Sequence, residues 1–216
     1  MTDATSQTLV VVPMKDLSRA KTRLSDHLDS NQRAEVAAEL FVQTLTFLMA
    51  AQQQSGVPFD IAVVTSSVDI AEYVNTQGLH LIFEGFETGL NEALSFAASW
   101  AIERSYTTLC VLPADIAAPD ISEFDRLLGL RPSAKSVVLC PALDYGTNVL
   151  IATPPDAIEF TYGSNSFLKH QTQAAARNID CVIAPSSPFS KDVDRMEDLT
   201  QHLPQLLEKI SDRRAV

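Results

Sequence analysis

The chain has 216 residues, with 16 Lys+Arg against 27 Asp+Glu and a formal net charge of −11 at pH 7. At 46% hydrophobic and 20% charged it has a globular composition, which excludes disorder, and it can bury roughly 70% of its unfolded surface with no metal or disulfide staple. The acidic balance argues against nucleic acid or an anionic membrane as the main partner, while leaving room for a phosphorylated ligand met by a few local cations or a divalent metal.

In chain order, residues 1–7 read as a flexible start, and the apolar stretch that follows is too short for a signal peptide or a membrane span. Thr8 to Val12 is a β-branched and Leu run stopped by Pro13, the pattern of a buried parallel strand. Ser30 is placed to cap a helix predicted to run to about Gln53, with Val36, Leu40, Phe41, Leu45, Leu48 and Met49 on its inner face. A strand at Ile61–Thr65, a helix at Val68–Thr76 and a strand at Leu79–Phe83 follow. Leu90–Arg104 is helical by period, and Thr108–Leu112 is an apolar strand stopped by Pro113. Ile121–Leu128 reads as a helix, Ser136–Cys140 and Asn148–Ala152 as strands, and Ser166–Arg177 as a helix. Cys181–Ala184 reads as a strand and Met196–Lys209 as a closing helix. Strand and helix alternate, which predicts one α/β domain over residues 1–216, a mostly parallel mixed sheet with helices on both faces. Ser136 to Phe160 breaks the alternation and predicts an antiparallel excursion.

Cys110, Cys140 and Cys181 sit in apolar runs without CxxC spacing, as reduced core thiols of a cytoplasmic protein do. The seven glycines form neither GxGxxG nor GxxxxGK[ST], so phosphates would need side-chain cations, metal or helix N-termini. In open α/β sheets ligands bind beyond the carboxyl ends of strands, and three segments fall there.

The first is Pro13 to Leu24, where Lys15, Arg19, Lys21 and Arg23 reverse the local charge within nine residues. Two readings stand side by side: donors for a triphosphate, or a solvated basic helix start pairing with Asp16 and Asp26. The second is Asp115, just past a buried strand, with Asp192 and Asp194 late in the chain. In extended structure residues two apart share a face, so Asp192 and Asp194 can join Asp115 on one Mg²⁺. Against this, Asp115 can be a turn residue, and Asp194 can cap the closing helix with Glu197 at the box position. The third comprises Asp144 to Asn148 and Tyr162 to Ser166, whose Gly, Thr, Asn and Ser suit a small acidic ligand at a helix N-terminus, or simply a turn and a cap. His170 reads as a packed helix residue, His27, His80 and His202 lack ligand spacing, and Asp120, Glu123 and Asp125 read as a solvated helix start.

Taken in order, Pro13-x-Lys15, Ala20-Lys21-x-Arg23-Leu24, Gly89-Leu90-Asn91, Pro113-Ala114-Asp115, Asp144-x-Gly146-Thr147-Asn148, Tyr162-Gly163 with Ser166-Phe167 and His170, and Asp192 to Leu199 resemble the 2-phospho-L-lactate guanylyltransferase family (CofC/FbiD). The resemblance spans residues 8 to about 200. It implies a nucleotidyltransferase fold of the glycosyltransferase-A type and transfer of GMP from GTP to 2-phospholactate, phosphoenolpyruvate or 3-phosphoglycerate, in biosynthesis of coenzyme F-420. Carried over by position, Asp115, Asp192 and Asp194 would hold Mg²⁺. Lys15, Lys21, Arg23, Gly89 and Asn91 would serve the nucleotide, with Lys21 and Asp115 catalytic, and Thr147, Gly163 and Ser166 would bind the acceptor. The expected partners are GTP and the small acid; a homodimer is left open. Two departures stand out: Asp115-Ile116-Ala117 where the family often has Asp-Leu-Pro, and Gly163-Ser164-Asn165-Ser166 where it often has Gly-Pro-Gly-Ser. The rival readings are another nucleotidyltransferase of the same fold, of molybdopterin or sugar-phosphate type, and a non-catalytic nucleotide-binding module.

Overall fold

A computed structural model describes residues 8–130 and 134–212, so the flexible start expected at 1–7 lies outside the described residues. Seven strands form one sheet: β1 (Thr8–Pro13), β2 (Phe59–Thr65), β3 (His80–Phe83), β4 (Thr108–Val111), β5 (Ser136–Pro141), β6 (Thr147–Thr153) and β7 (Asp180–Ile183). Their order is β3-β2-β1-β4-β6-β5-β7. β6 runs antiparallel to both β4 and β5, which is the expected excursion, and the remaining pairs are parallel. The reversal matters for position. It places the start of β6 at the sheet edge where β1, β2 and β4 end.

The continuous apolar strands are buried on both sides because helices cover both faces. Val10 and Val12 pack under α1 (Ser30–Gln54), α2 (Val68–Thr76) and α4 (Ile121–Gly129). Leu9 and Val11, pointing the other way, pack under α3 (Leu90–Glu103) and α5 (Ser166–Ala176). α1 is long and apolar enough to cross a bilayer by length and composition, yet Val36, Leu40, Phe41, Leu45 and Leu48 are buried in the core. A smaller cluster joins Leu24, Leu28, Val36 and Leu40 to Val193, Leu199 and Leu203, fastening the C-terminal segment to the start of α1.

The segment that carries Asp192 is anchored by aromatic packing. Phe189 closes a 3-10 turn at Ser187–Phe189, and its ring lies 5.7 Å from that of Phe124, which also meets Phe47 at 5.6 Å and Phe59 at 5.7 Å. The Asn148 side chain donates to the Phe189 carbonyl at 2.8 Å, tying the same turn to β6.

The expected boundaries hold to within one or two residues, with three corrections. Asp29, rather than Ser30, caps α1: its carboxylate accepts from Gln32 N at 2.9 Å while the Gln32 side chain accepts from Asp29 N at 3.0 Å. A carboxylate at this position satisfies an orphan amide and meets the positive end of the helix dipole. The closing helix is two, α6 (Met196–His202) and α7 (Pro204–Asp212), because Pro204 has no amide hydrogen to continue the first. The N-cap of α6 is Arg195, and Asp198 in the first turn reaches back, its Oδ2 accepting from Asp194 N at 3.2 Å and Arg195 N at 2.8 Å. The Asp194 side chain is therefore released from the capping role.

Asp29→Ala is expected to destabilise the protein by about 1 kcal/mol, with Ser30→Ala close to neutral. Urea unfolding of both variants checks this, and equal losses would show that Asp29 is not the cap.

Candidate active site

Just past β4, Ile116 pairs with Asp192 in an isolated antiparallel bridge. Val193 N donates to Asp115 O at 2.9 Å and Ala117 N to Lys191 O at 3.0 Å, so the two segments are zipped together across the bridge. Residues two apart then share a face, and ligand oxygens of Asp115, Asp192 and Asp194 come within 4.8 Å of one another. Three half-buried carboxylates this close repel. Burial, then Asp194 and Asp115, push the Asp192 carboxyl up to about 6.

The counterweight is Lys21. It occupies a left-handed backbone turn (φ 51°, ψ 40°) between two 3-10 turns, Leu17–Arg19 and Thr22–Leu24, rather than a helix start. Its side chain is 7% exposed, and its ammonium donates to Asp115 Oδ2 at 2.6 Å, Asp194 Oδ1 at 3.2 Å and the Val193 carbonyl at 2.7 Å. Burial alone would lower its pKa, but Asp115 and Asp194 outweigh burial and raise it. Burial likewise pushes Asp194 up, yet Lys21 and Arg23, which also pairs with Asp194, bring it below the ordinary carboxylate range. All-oxygen carboxylate donors suit a hard divalent cation, and Asp192, the member without a Lys21 bond, is the one whose charge is least offset.

Beside this cluster opens a cleft of about 430 Å³ along the carboxyl ends of β1 to β4. Lys15, Lys21, Arg23, Asp115 and Asp194 are among its lining residues, with Glu84, Glu87 and Gly89. Gly89 precedes α3 with φ 116°, a value that favours glycine, and a Cβ there would meet the Glu92 carboxylate at 2.8 Å. Asn91 is not in the cleft lining. Its amide is spent on the backbone of Tyr162, accepting from Tyr162 N at 2.7 Å and donating to Tyr162 O at 3.4 Å, so it clasps α3 to the Tyr162–Ser166 loop.

That loop and the start of β6 form a second cluster. Thr147 and Ser166 are 5% and 1% exposed, and Ser166 Oγ donates to Thr147 Oγ1 at 3.3 Å. His170, one turn into α5, is fully buried. Its Nε2 accepts from Thr161 N at 3.0 Å, which assigns the ring proton to Nδ1, 3.1 Å from Thr147 Oγ1. Thr147 Oγ1 thus receives two donors, and its own hydroxyl hydrogen remains to point elsewhere. Gly163 turns at φ 113° and Asn165 at φ 57°, while Ser164 and Asn165 are exposed. The hairpin turn Ala142–Gly146 joins everything: Leu143 N donates to Ser190 O at 3.1 Å, and Phe167 N donates to Tyr145 O at 3.3 Å.

The sequence-derived residues thus fall into two groups on one sheet edge. Lys15, Lys21, Arg23, Gly89, Asp115, Asp192 and Asp194 gather at the cleft and acidic cluster; Thr147, Gly163 and Ser166 gather beside it, with Asn91 as the link. Glu84 also lines the cleft, and a lone Glu after a short strand carries no sequence signal of its own.

Burial brings the His170 pKa down to about 4, with Lys169 adding to the effect. The unfolded ring takes its proton below about 6.5, so the stability this site supplies is complete above that pH and is lost as pH falls towards 4. Between pH 7 and pH 5 the wild type is expected to lose about 2 kcal/mol more than His170→Gln, measured by urea unfolding. Parallel pH profiles would contradict the buried, neutral imidazole.

A family described as "Guanylyl transferase CofC like" matches residues 8–205. A 3-phospho-D-glycerate guanylyltransferase from Colwellia psychrerythraea is 39% identical over 193 residues, covering 89% of this chain and 90% of that protein. A phosphoenolpyruvate guanylyltransferase from Sphaerobacter thermophilus is 33% identical over 202 residues, covering 91% and 94%. Among solved structures, a nucleotidyl transferase from Methanothermobacter thermautotrophicus superposes with a TM-score of 0.63 at 12% identity, over 94% of this chain and 99% of that one, a likeness of fold. With the match running through nearly all of the described residues and through both clusters on the sheet edge, the chain belongs to the CofC-like guanylyl transferase family.

Proposed function

We propose that the protein transfers GMP from GTP to a small phosphorylated carboxylic acid with release of pyrophosphate, in coenzyme F-420 biosynthesis. The observation that carries this reading is the juxtaposition of an acidic cluster, a cation-lined cleft and a separate hydroxyl-bearing loop on one sheet edge. Asp115, Asp192 and Asp194 would hold Mg²⁺, which when bound supplies charge neutralisation between nucleotide and acceptor phosphates. Lys15 and Arg23 line the cleft as donors for the triphosphate, and Lys21, bonded to two of the three carboxylates, keeps the cluster compact.

The acceptor needs no base from the protein. A phosphate monoester with second pKa ≈ 6 is largely dianionic at neutral pH and can attack the α-phosphorus directly. His170 agrees with this, since its ring is fully buried and both nitrogens are engaged. The work of the chain is alignment and electrostatic compensation. Thr147, Gly163 and Ser166 would seat the acid, with the free Thr147 hydroxyl hydrogen available to its anionic oxygens. Ser164 and Asn165 add exposed polar side chains where the family often has Pro and Gly. They suit the acid that carries a hydroxyl, 3-phosphoglycerate, over phosphoenolpyruvate and 2-phospholactate, which carry none.

Pyrophosphate release measured with GTP, Mg²⁺ and each acid separately is expected to give the highest kcat/KM with 3-phosphoglycerate. No release with any acid would refute the activity, and a preference for either rival would refute the role of the polar loop.

Asp115→Asn and Asp192→Asn are each expected to reduce transfer by at least about 100-fold while remaining folded by circular dichroism, the scale of losing one electrostatic contact in the transition state. Wild-type-like turnover in either variant at saturating Mg²⁺ removes the metal assignment.

A further inference from the structure

The acidic side chains lining the cleft are not alike. Asp115 and Asp194 are bonded to Lys21, Asp194 also to Arg23, and Glu87 to Arg19. Glu84 has no cationic partner among the described residues. One of its oxygens, Oε2, accepts from the Thr88 hydroxyl at 3.0 Å, and among the described residues no protein donor reaches Oε1. The side chain is half-buried, and burial, with Glu87 nearby, raises its carboxyl above the ordinary range despite the Thr88 bond. An uncompensated carboxylate in a cleft otherwise suited to a polyanion calls for a ligand portion that brings N–H or O–H donors.

Its position says which portion. Glu84 follows β3 and Asp115 follows β4, and the sheet order β3-β2-β1-β4 puts three inter-strand steps between them. At about 4.8 Å per step the two ends lie about 14 Å apart, the reach of an extended nucleotide from phosphate to base rather than from phosphate to ribose. Guanine is the nucleobase whose pairing edge presents two adjacent donors, N1–H and the N2 amino group, matching the acceptor-only fork of a carboxylate. Adenine offers an acceptor at N1 and would face Glu84 with repulsion. Ser66, just past β2, also lines the cleft.

We propose that Glu84 is the specificity residue for the guanine base, its carboxylate accepting from N1–H and the N2 amino group while Thr88 holds the other side of the fork. This rests on the reading of GTP as the donor nucleotide.

The test is calorimetric titration of the full chain with GTP, inosine triphosphate, 2′-deoxy-GTP and ATP in Mg²⁺, without acceptor acid so that no turnover intervenes. Inosine lacks only the N2 amino group, and losing one hydrogen bond to a charged group weakens binding roughly 10- to 150-fold. Wild type is expected to show that ratio of GTP to inosine triphosphate, to hold 2′-deoxy-GTP near GTP, and to bind ATP weakest. Glu84→Gln, of the same size but with a donor in place of an acceptor, should bring the GTP-to-inosine ratio close to one. A ratio unchanged in that variant, or a change confined to 2′-deoxy-GTP, overturns the assignment, the second outcome moving Glu84 to the ribose. Guanine-selective binding that depends on Glu84, in a protein that transfers nothing to any acid, would leave this inference standing and remove the transferase reading instead.

Discussion

The crowding of three carboxylates is the constraint around which the rest of the molecule is arranged. Asp115, Asp192 and Asp194 come together because two backbone hydrogen bonds and one bridge pin a late segment against the end of β4. That pinning is held from behind by Phe189 in the aromatic core and from the side by Asn148. Such a cluster is tolerable only with positive charge beside it, which is why the loop after β1 turns through a left-handed residue to deliver Lys21. Backbone strain of this kind persists where surrounding contacts over-determine it, and the Lys21 ammonium makes three of them.

The antiparallel β6 does the second part of the arrangement. In a wholly parallel sheet each strand sends its carboxyl end to the binding edge. Reversing one strand sends an amino end there instead, with Thr147 and Asn148 already inside the strand and held by its ladder. The hydroxyl cluster is therefore seated on rigid structure, while the cation loop that faces it is not part of any strand or α-helix.

Much of this was legible in the chain itself. Runs such as Thr8–Val12 and Thr108–Leu112 read as strands buried on both faces, and carboxylates or cations immediately after them point to the edge where ligands bind. Asp192 and Asp194 could be paired from their spacing alone. What local pattern could not supply was competition between neighbours and contacts distant in sequence. Ser30 and Asp29 are both good caps, and the winner is decided by which one Gln32 can answer. The apolar period from Met196 onward masked the break that Pro204 imposes. The resemblance sets Asn91 near the nucleotide, and its hydrogen-bond partner Tyr162, 71 residues away, is again invisible to local pattern. The basic run around Lys21 fits a triphosphate or a solvated start equally well by charge, and its bonds to carboxylates 94 and 173 residues later are contacts that local pattern does not reveal.

The Ala142–Gly146 turn bears on how this site can change. Surface turns ordinarily absorb insertions and deletions with little consequence. Here the turn is closed by Ala142 N to Gly146 O, stitched to Ser190 on one side and to Phe167 on the other, and braced by Asp144 accepting from Gly146 N. An added or missing residue would break register with the acidic segment and with the start of α5 together. The side chains that project from it are another matter, since Leu143 and Tyr145 are 68% and 72% exposed. Diversification of this rim is thus confined to exchange of side chains at fixed length.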